Sequence, residues 1–190
     1  MALALSMMTL PAHASLVYEL NTAELTQQAK EIRMGEVIST WTSPDPQNKM
    51  IYTYVKIRVD QTLKGAQANE ILIRQPGGTY EDPGTKQTFR QQVHGMDTFV
   101  KGEKAVFFIE HAKDGAPSVM FQGKHTIQKD AETGKTMTRH VFSKDVHYVQ
   151  QNHKNVSKNH RLYAREKRQS LQELVSDIQA AVGKGAEQQR

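Results

Sequence analysis

Ile51-Tyr52-Thr53-Tyr54-Val55-Lys56-Ile57-Arg58-Val59-Asp60-Gln61-Thr62-Leu63 decides the fold class. Val55, Ile57, Val59 and Leu63 fall on one face of an alternating pattern, and Lys56, Arg58 and Asp60 take the other. A period of two is the pattern of a half-buried antiparallel strand. Upstream, Ser43-Pro44-Asp45-Pro46-Gln47-Asn48 is a turn cluster, and Arg33–Trp41 reads as the strand before it. Downstream, Lys64-Gly65 ends the strand, Ile71 and Ile73 mark another, and Pro76-Gly77-Gly78 closes that one.

The pattern continues toward the C-terminus. A polar strand is predicted near Thr85–Val93. In Lys104–His111 the run Ala105-Val106-Phe107-Phe108-Ile109 is apolar on both faces, as a central strand must be. Asp114-Gly115 and Asp130–Lys135 turn the chain into strands over Ser118–Gln128 and Thr136–Phe142. Asn21-Thr22 with Glu24 starts a short helix through about Glu31. A closing helix spans Ser170–Val182 with Leu171, Leu174, Val175 and Ile178 as its apolar stripe, and Gly183 stops it. The fold class is mainly β: a small antiparallel OB-like barrel or sandwich with a short N-terminal helix and a C-terminal helix.

The chain of 190 residues divides into four parts. Residues 1–14 form an apolar run ending in Ala12-His13-Ala14, read as a signal peptide cleaved before Ser15, although no Lys or Arg precedes the run. Residues 15–143 form the β-barrel domain, residues 144–183 a basic segment and the helix, and residues 184–190 a frayed tail. The expected setting is exported, periplasmic or secreted. No segment reaches membrane-spanning length, so the protein is not expected to span a bilayer.

Gly35-Glu36-Val37, Leu63-Lys64-Gly65, Ile71-Leu72-Ile73, Gly77-Gly78 and Gly102-Glu103 before Val106-Phe107-Phe108 together resemble a family of uncharacterised exported bacterial proteins. Some members of that family are found beside secreted metalloproteases. The order of elements is similar to the netrin-like module of tissue inhibitors of metalloproteases. That resemblance implies an OB-type barrel and an exported setting. Those inhibitors chelate the target zinc through an N-terminal Cys, whereas this chain has no Cys and an expected mature terminus at Ser15. The resemblance implies no activity.

Catalytic signatures are missing from the sequence. It has no His-Glu-x-x-His, no Gly-x-Ser-x-Gly and no phosphate-binding Gly loop, so the expectation is no enzyme and no cofactor. The absence of Cys excludes disulfides and thiolate metal sites. His153 and His160 are seven apart, roughly 10 Å along a helix, which is too far to share one ion. They are expected in a helical seam with Val146, Val149, Val156 and Tyr163.

Charge supplies the strongest functional signal. The net charge is +5, yet residues 139–168 carry Arg139, Lys144, Lys154, Lys158, Arg161, Arg165, Lys167 and Arg168 against only Asp145 and Glu166. Such a patch suits an anionic polymer of the cell envelope. Arg161, Arg165 and Arg168 would share one side if Leu162–Val182 were a single helix. On an OB-type face, Trp41, Tyr52 and Tyr54 are the candidate stacking residues. The first functional expectation is therefore an exported non-enzymatic binding or accessory module, with an unknown protein or envelope polymer as partner. The alternative is a polyanion or single-stranded nucleic-acid binder using residues 139–168, with nucleic acid disfavoured by export.

Overall fold

The computed structural model describes residues 15–143, 146–149 and 166–187. The elements are β1 (Ser15–Tyr18), α1 (Thr22–Gln28), β2 (Glu31–Pro44), β3 (Ile51–Lys64), β4 (Glu70–Pro76), β5 (Gly78–Glu81), β6 (Thr88–Gln91), β7 (Lys104–His111), β8 (Pro117–Lys129), β9 (Thr136–Val141), β10 (Val146–Val149), β11 (Glu166–Ser170) and α2 (Leu171–Glu187). Seven strands make one sheet in the order β11-β9-β8-β7-β2-β3-β4. β5 and β6 form a separate hairpin, and β1 pairs with β10 in parallel.

β7 occupies the middle of the sheet because both of its faces are apolar. Ala105, Val106, Phe107, Phe108 and Ile109 are all fully buried. Phe107 joins Val37, Val55, Ile57 and Ile73 on one face of the curled sheet. Phe108 and Val106 join Leu25, Ala29, Leu174 and Ile178 on the other, beneath the two helices. One strand thus supplies two cores.

The sheet is not a closed barrel. β4 and β8 approach each other, but the side chain of Gln75 stands between them. Its amide accepts from Ser118 Oγ at 2.7 Å and from the Val119 N–H at 3.2 Å, and it donates to the Val119 carbonyl at 3.2 Å. The backbone groups that would close the ladder are already satisfied by a side chain.

Several expectations are corrected. Leu63 does not share a face with Val55 and Ile57: it packs on the helix-side cluster. Register shifts between β2 and β3 leave Asp60 and Leu63 without direct partners, and such bulges re-aim the strand. In the same region a Cβ on Gly35 would lie 2.2 Å from the Arg58 carbonyl oxygen, so the close strand approach requires glycine. The first helix ends at Gln28, because Glu31 already pairs with Ile109 in the sheet.

The closing helix was expected to stop at Gly183 but runs on to Glu187. Gly183 is not in the left-handed conformation that ends helices. Nor is Leu162–Val182 one helix: Glu166–Ser170 is a strand paired with β9, so Arg168 lies opposite Arg139. The expected helical seam fails at its start, since Val146–Val149 is strand β10. The remainder of that seam, with His153 and His160, and residues 1–14 lie outside the described residues.

Local chemistry fixes the helices. Asn21 and Glu24 form a capping box at α1, and Ser170 and Glu173 form another at α2. Lys64 Nζ donates to the carbonyls of Thr26 at 2.7 Å and Ala29 at 2.6 Å, satisfying the C-terminal end of α1 from the end of β3. Among the described residues, no helix is long and apolar enough to cross a membrane.

Candidate ligand-binding site

β2 and β3 extend beyond the reach of β7 as a two-stranded arm, continued by β4. On the arm's inner face, Val55 and Ile57 enter the core, and the β5–β6 hairpin packs against Thr42 and Thr53. Alternation therefore turns Trp41, Tyr52 and Tyr54 to the opposite face. Trp41 and Tyr54 are cross-strand partners and stack with centroids 5.4 Å apart and planes 9° from parallel. Arg74 pairs with Tyr54 across β3–β4 and lies 4.4 Å over the Tyr52 ring. The structure thus brings together all three aromatic residues expected at a ligand face, and Trp41 keeps 45% of its surface exposed.

The cations beside this row are paired. Lys56 binds Glu70 at 2.6 Å, Arg58 binds Glu36 at 2.7 Å, and Arg74 binds Asp114. That bond to Asp114 holds the Asp114 carboxyl below its ordinary range.

The basic segment is described at three of its eight positions. Arg139 and Arg168 lie opposite each other and both pair with Glu166, whose carboxyl is held below the usual range first by the hydrogen bond from Arg168 and then by the two positive charges. Lys167 pairs in register with His140. Lys144, Lys154, Lys158, Arg161 and Arg165 lie outside the described residues.

Sequence reading missed a second site. A cavity of about 360 Å³ is lined by residues 95–98, by Lys124, Thr126, Arg139 and His140, and by Phe142 and Tyr148. A second, of about 370 Å³, lies against the same 95–98 segment and reaches Thr53 and Gln75. Asp97 lines both. Burial raises its carboxyl to about 7, with Lys124 opposing the shift and Glu103 adding to it. It accepts no hydrogen bond within the described residues. Lys124 Nζ donates to the Thr98 carbonyl and, at 2.8 Å, to Glu103, which also accepts from Thr126 Oγ1 at 2.8 Å.

His140 and His125 stand behind this cavity. Their rings stack 5.2 Å apart, and each is 5% exposed. Burial, reinforced by His140 and Lys167, holds His125 down at about 3. Burial is also the main cause that lowers His140. His140 Nδ1 lies 3.0 Å from the Lys124 carbonyl and must donate to it, which leaves Nε2 as an acceptor. Among the described residues, that buried Nε2 has no partner. Among the described residues, no group of three or more His, Cys, Asp or Glu could hold a metal ion.

The sequence signal for this site was faint. Asp97 lies in an irregular stretch between β6 and β7, and His125 and His140 sit singly within strands. No known protein family, characterised protein or solved structure matches this chain.

Proposed function

We propose that the protein is an exported, non-enzymatic binding module whose ligand face is the Trp41–Tyr54–Tyr52 row, and that its ligand carries flat-faced rings, as the glycan of an envelope polymer does. The carrying observation is an exposed Trp41 stacked on Tyr54, with Tyr52 held beneath Arg74. An aromatic face on a rigid sheet offers a large contact area at low entropic cost. The neighbouring cations are already paired, which favours neutral sugar rings over a polyanion.

An OB-like assignment accompanies this reading. The succession β4-β3-β2-β7-β8 is antiparallel at every step, so β4 and β8 run in the same direction where they meet at Gln75. Export is proposed from the apolar run of residues 1–10 and Ala12-His13-Ala14. The alternative polyanion reading draws on residues 139–168, where Glu166 already engages both Arg139 and Arg168.

Trp41 is the only tryptophan, so its fluorescence reports directly on the face. Soluble glycan strands, heparin and single-stranded DNA are titrated against the wild type, Trp41→Phe and Tyr54→Ala. The expected result is saturable quenching by glycan that varies little with salt, and calorimetric affinity at least tenfold weaker for Tyr54→Ala. Binding of heparin alone, with a steep salt dependence, supports the polyanion reading instead. No response to glycan overturns the proposal.

A further inference from the structure

The cavity beneath residues 95–98 is separate from the aromatic row, and its chemistry points to a different ligand. We propose that it binds a small zwitterion bearing a free ammonium and a free carboxylate, such as an α-amino acid or a short peptide.

The cavity's vacant bonding capacity sets the ligand's chemistry. Asp97 accepts no hydrogen bond within the described residues. An acceptor without a donor asks for a ligand group that donates, and an ammonium carries three such hydrogens. Phe142 and Tyr148, packed edge to face at 4.7 Å, add aromatic walls that favour a cation.

The opposite requirement arises at Arg139 and Lys124. Arg139 lines the cavity and meets Glu166 through Nε, so its terminal nitrogens are not engaged by that ion pair. Lys124 Nζ makes two hydrogen bonds, to the Thr98 carbonyl and to Glu103, and has a third hydrogen to give. These donors suit a carboxylate. A space of about 360 Å³ accommodates an amino acid or a dipeptide.

The half-buried Asp97 carboxyl has the further property that an ammonium beside it would favour its ionised form. Binding therefore takes up less ligand as pH falls and Asp97 becomes protonated. The groups facing Asp97 in this balance are Lys124, Glu103 and Tyr148, with Arg139 and His140 on the same cavity wall.

The test is calorimetric titration and thermal shift of the full chain with the free α-amino acids and alanyl dipeptides. N-acetyl and carboxamide derivatives of the same compounds, and glucose, are run beside them. The expected result is saturable binding of at least one free zwitterion, weakened tenfold or more by blocking either end. Asp97→Asn should weaken the free compound tenfold while leaving the N-acetyl derivative unchanged. Arg139→Gln should do the reverse, losing discrimination against the carboxamide. Trp41→Phe should leave zwitterion binding intact, which separates this site from the aromatic face. Equal binding of blocked and free forms, binding of glucose only, or no binding by any compound at about 10 mM overturns the proposal.

Discussion

Asp97 and His125 are ionisable groups that burial displaces in opposite senses, and each makes a signed prediction. Asp97 has a folded value of about 7 against an ordinary 3.8, so the folded state holds its proton more tightly. The ionised carboxylate then disfavours folding fully above pH 7 and not at all below about pH 3.8. Asp97→Asn is expected to stabilise the protein by on the order of 1–3 kcal/mol at pH 8 and negligibly at pH 3.5. Denaturant melts at the two pH values measure this, and a shift independent of pH would contradict it. For His125 the folded value of about 3 lies below the ordinary 6.5. Its neutral form contributes stability that is complete above pH 6.5 and is lost as pH falls toward 3. His125→Leu should therefore flatten the acid limb of the stability curve by about one proton between pH 6 and 4. An unchanged slope would mean that His125 is accessible to solvent protons in the fold.

Three hairpins show what the element scale adds. The turns starting at Asp45, Asp82 and Asp130 share one geometry. In each, the Asp carboxylate accepts from backbone N–H groups two and three residues on, and its own N–H donates to the carbonyl five residues on. The fifth position of each turn has positive φ: Lys49 at 61°, Lys86 at 59° and Gly134 at 67°. The first two adopt a left-handed conformation that disfavours a side chain. Lys49→Gly and Lys86→Gly should each stabilise by about 0.5–1 kcal/mol, since relieving that strain exceeds glycine's entropy cost. Gly134→Lys should cost a similar amount, and thermal melts of the three variants compare them directly. The turns at Asp45 and Asp130 were legible in the sequence, whereas the polar strand expected over Thr85–Val93 overran the third and begins only at Thr88. Which turn residue becomes left-handed depends on the register of the strands on either side.

At the scale of the whole molecule, adjacent residues of β7 serve different cores. Phe107 anchors the cluster inside the curled sheet, and Phe108 anchors the one under α1 and α2. Replacing either with Ala should cost roughly 3–5 kcal/mol. Lys56→Ala should cost well under 1 kcal/mol, because its ion pair with Glu70 is exposed. The two Phe variants should differ in where they loosen. Hydrogen exchange after Phe108→Ala should rise in α1 and α2, and after Phe107→Ala in the β2–β3–β4 arm. Equal loosening in both regions would show one cooperative core instead of two.

Strand identity in this protein follows from local order in the chain. The alternation in Ile51–Leu63, the doubly apolar run at Ala105–Ile109 and the Asp- and Gly-rich turns are neighbour relations, and strands obey them within a few residues. The same alternation turned Trp41, Tyr52 and Tyr54 to one face. Tertiary structure decided what neighbour relations cannot encode. The bulges at Asp60 and Leu63 moved Leu63 to the other core, and Gln75 kept the curled sheet from closing on β8. Pairing with β9 made Glu166–Ser170 a strand where helical spacing had linked Arg161, Arg165 and Arg168. The cavity around Asp97 draws Lys124, Arg139 and His140 from two strands far along the chain. Burial there comes from groups distant in sequence, and burial is what sets the chemistry of Asp97 and His140.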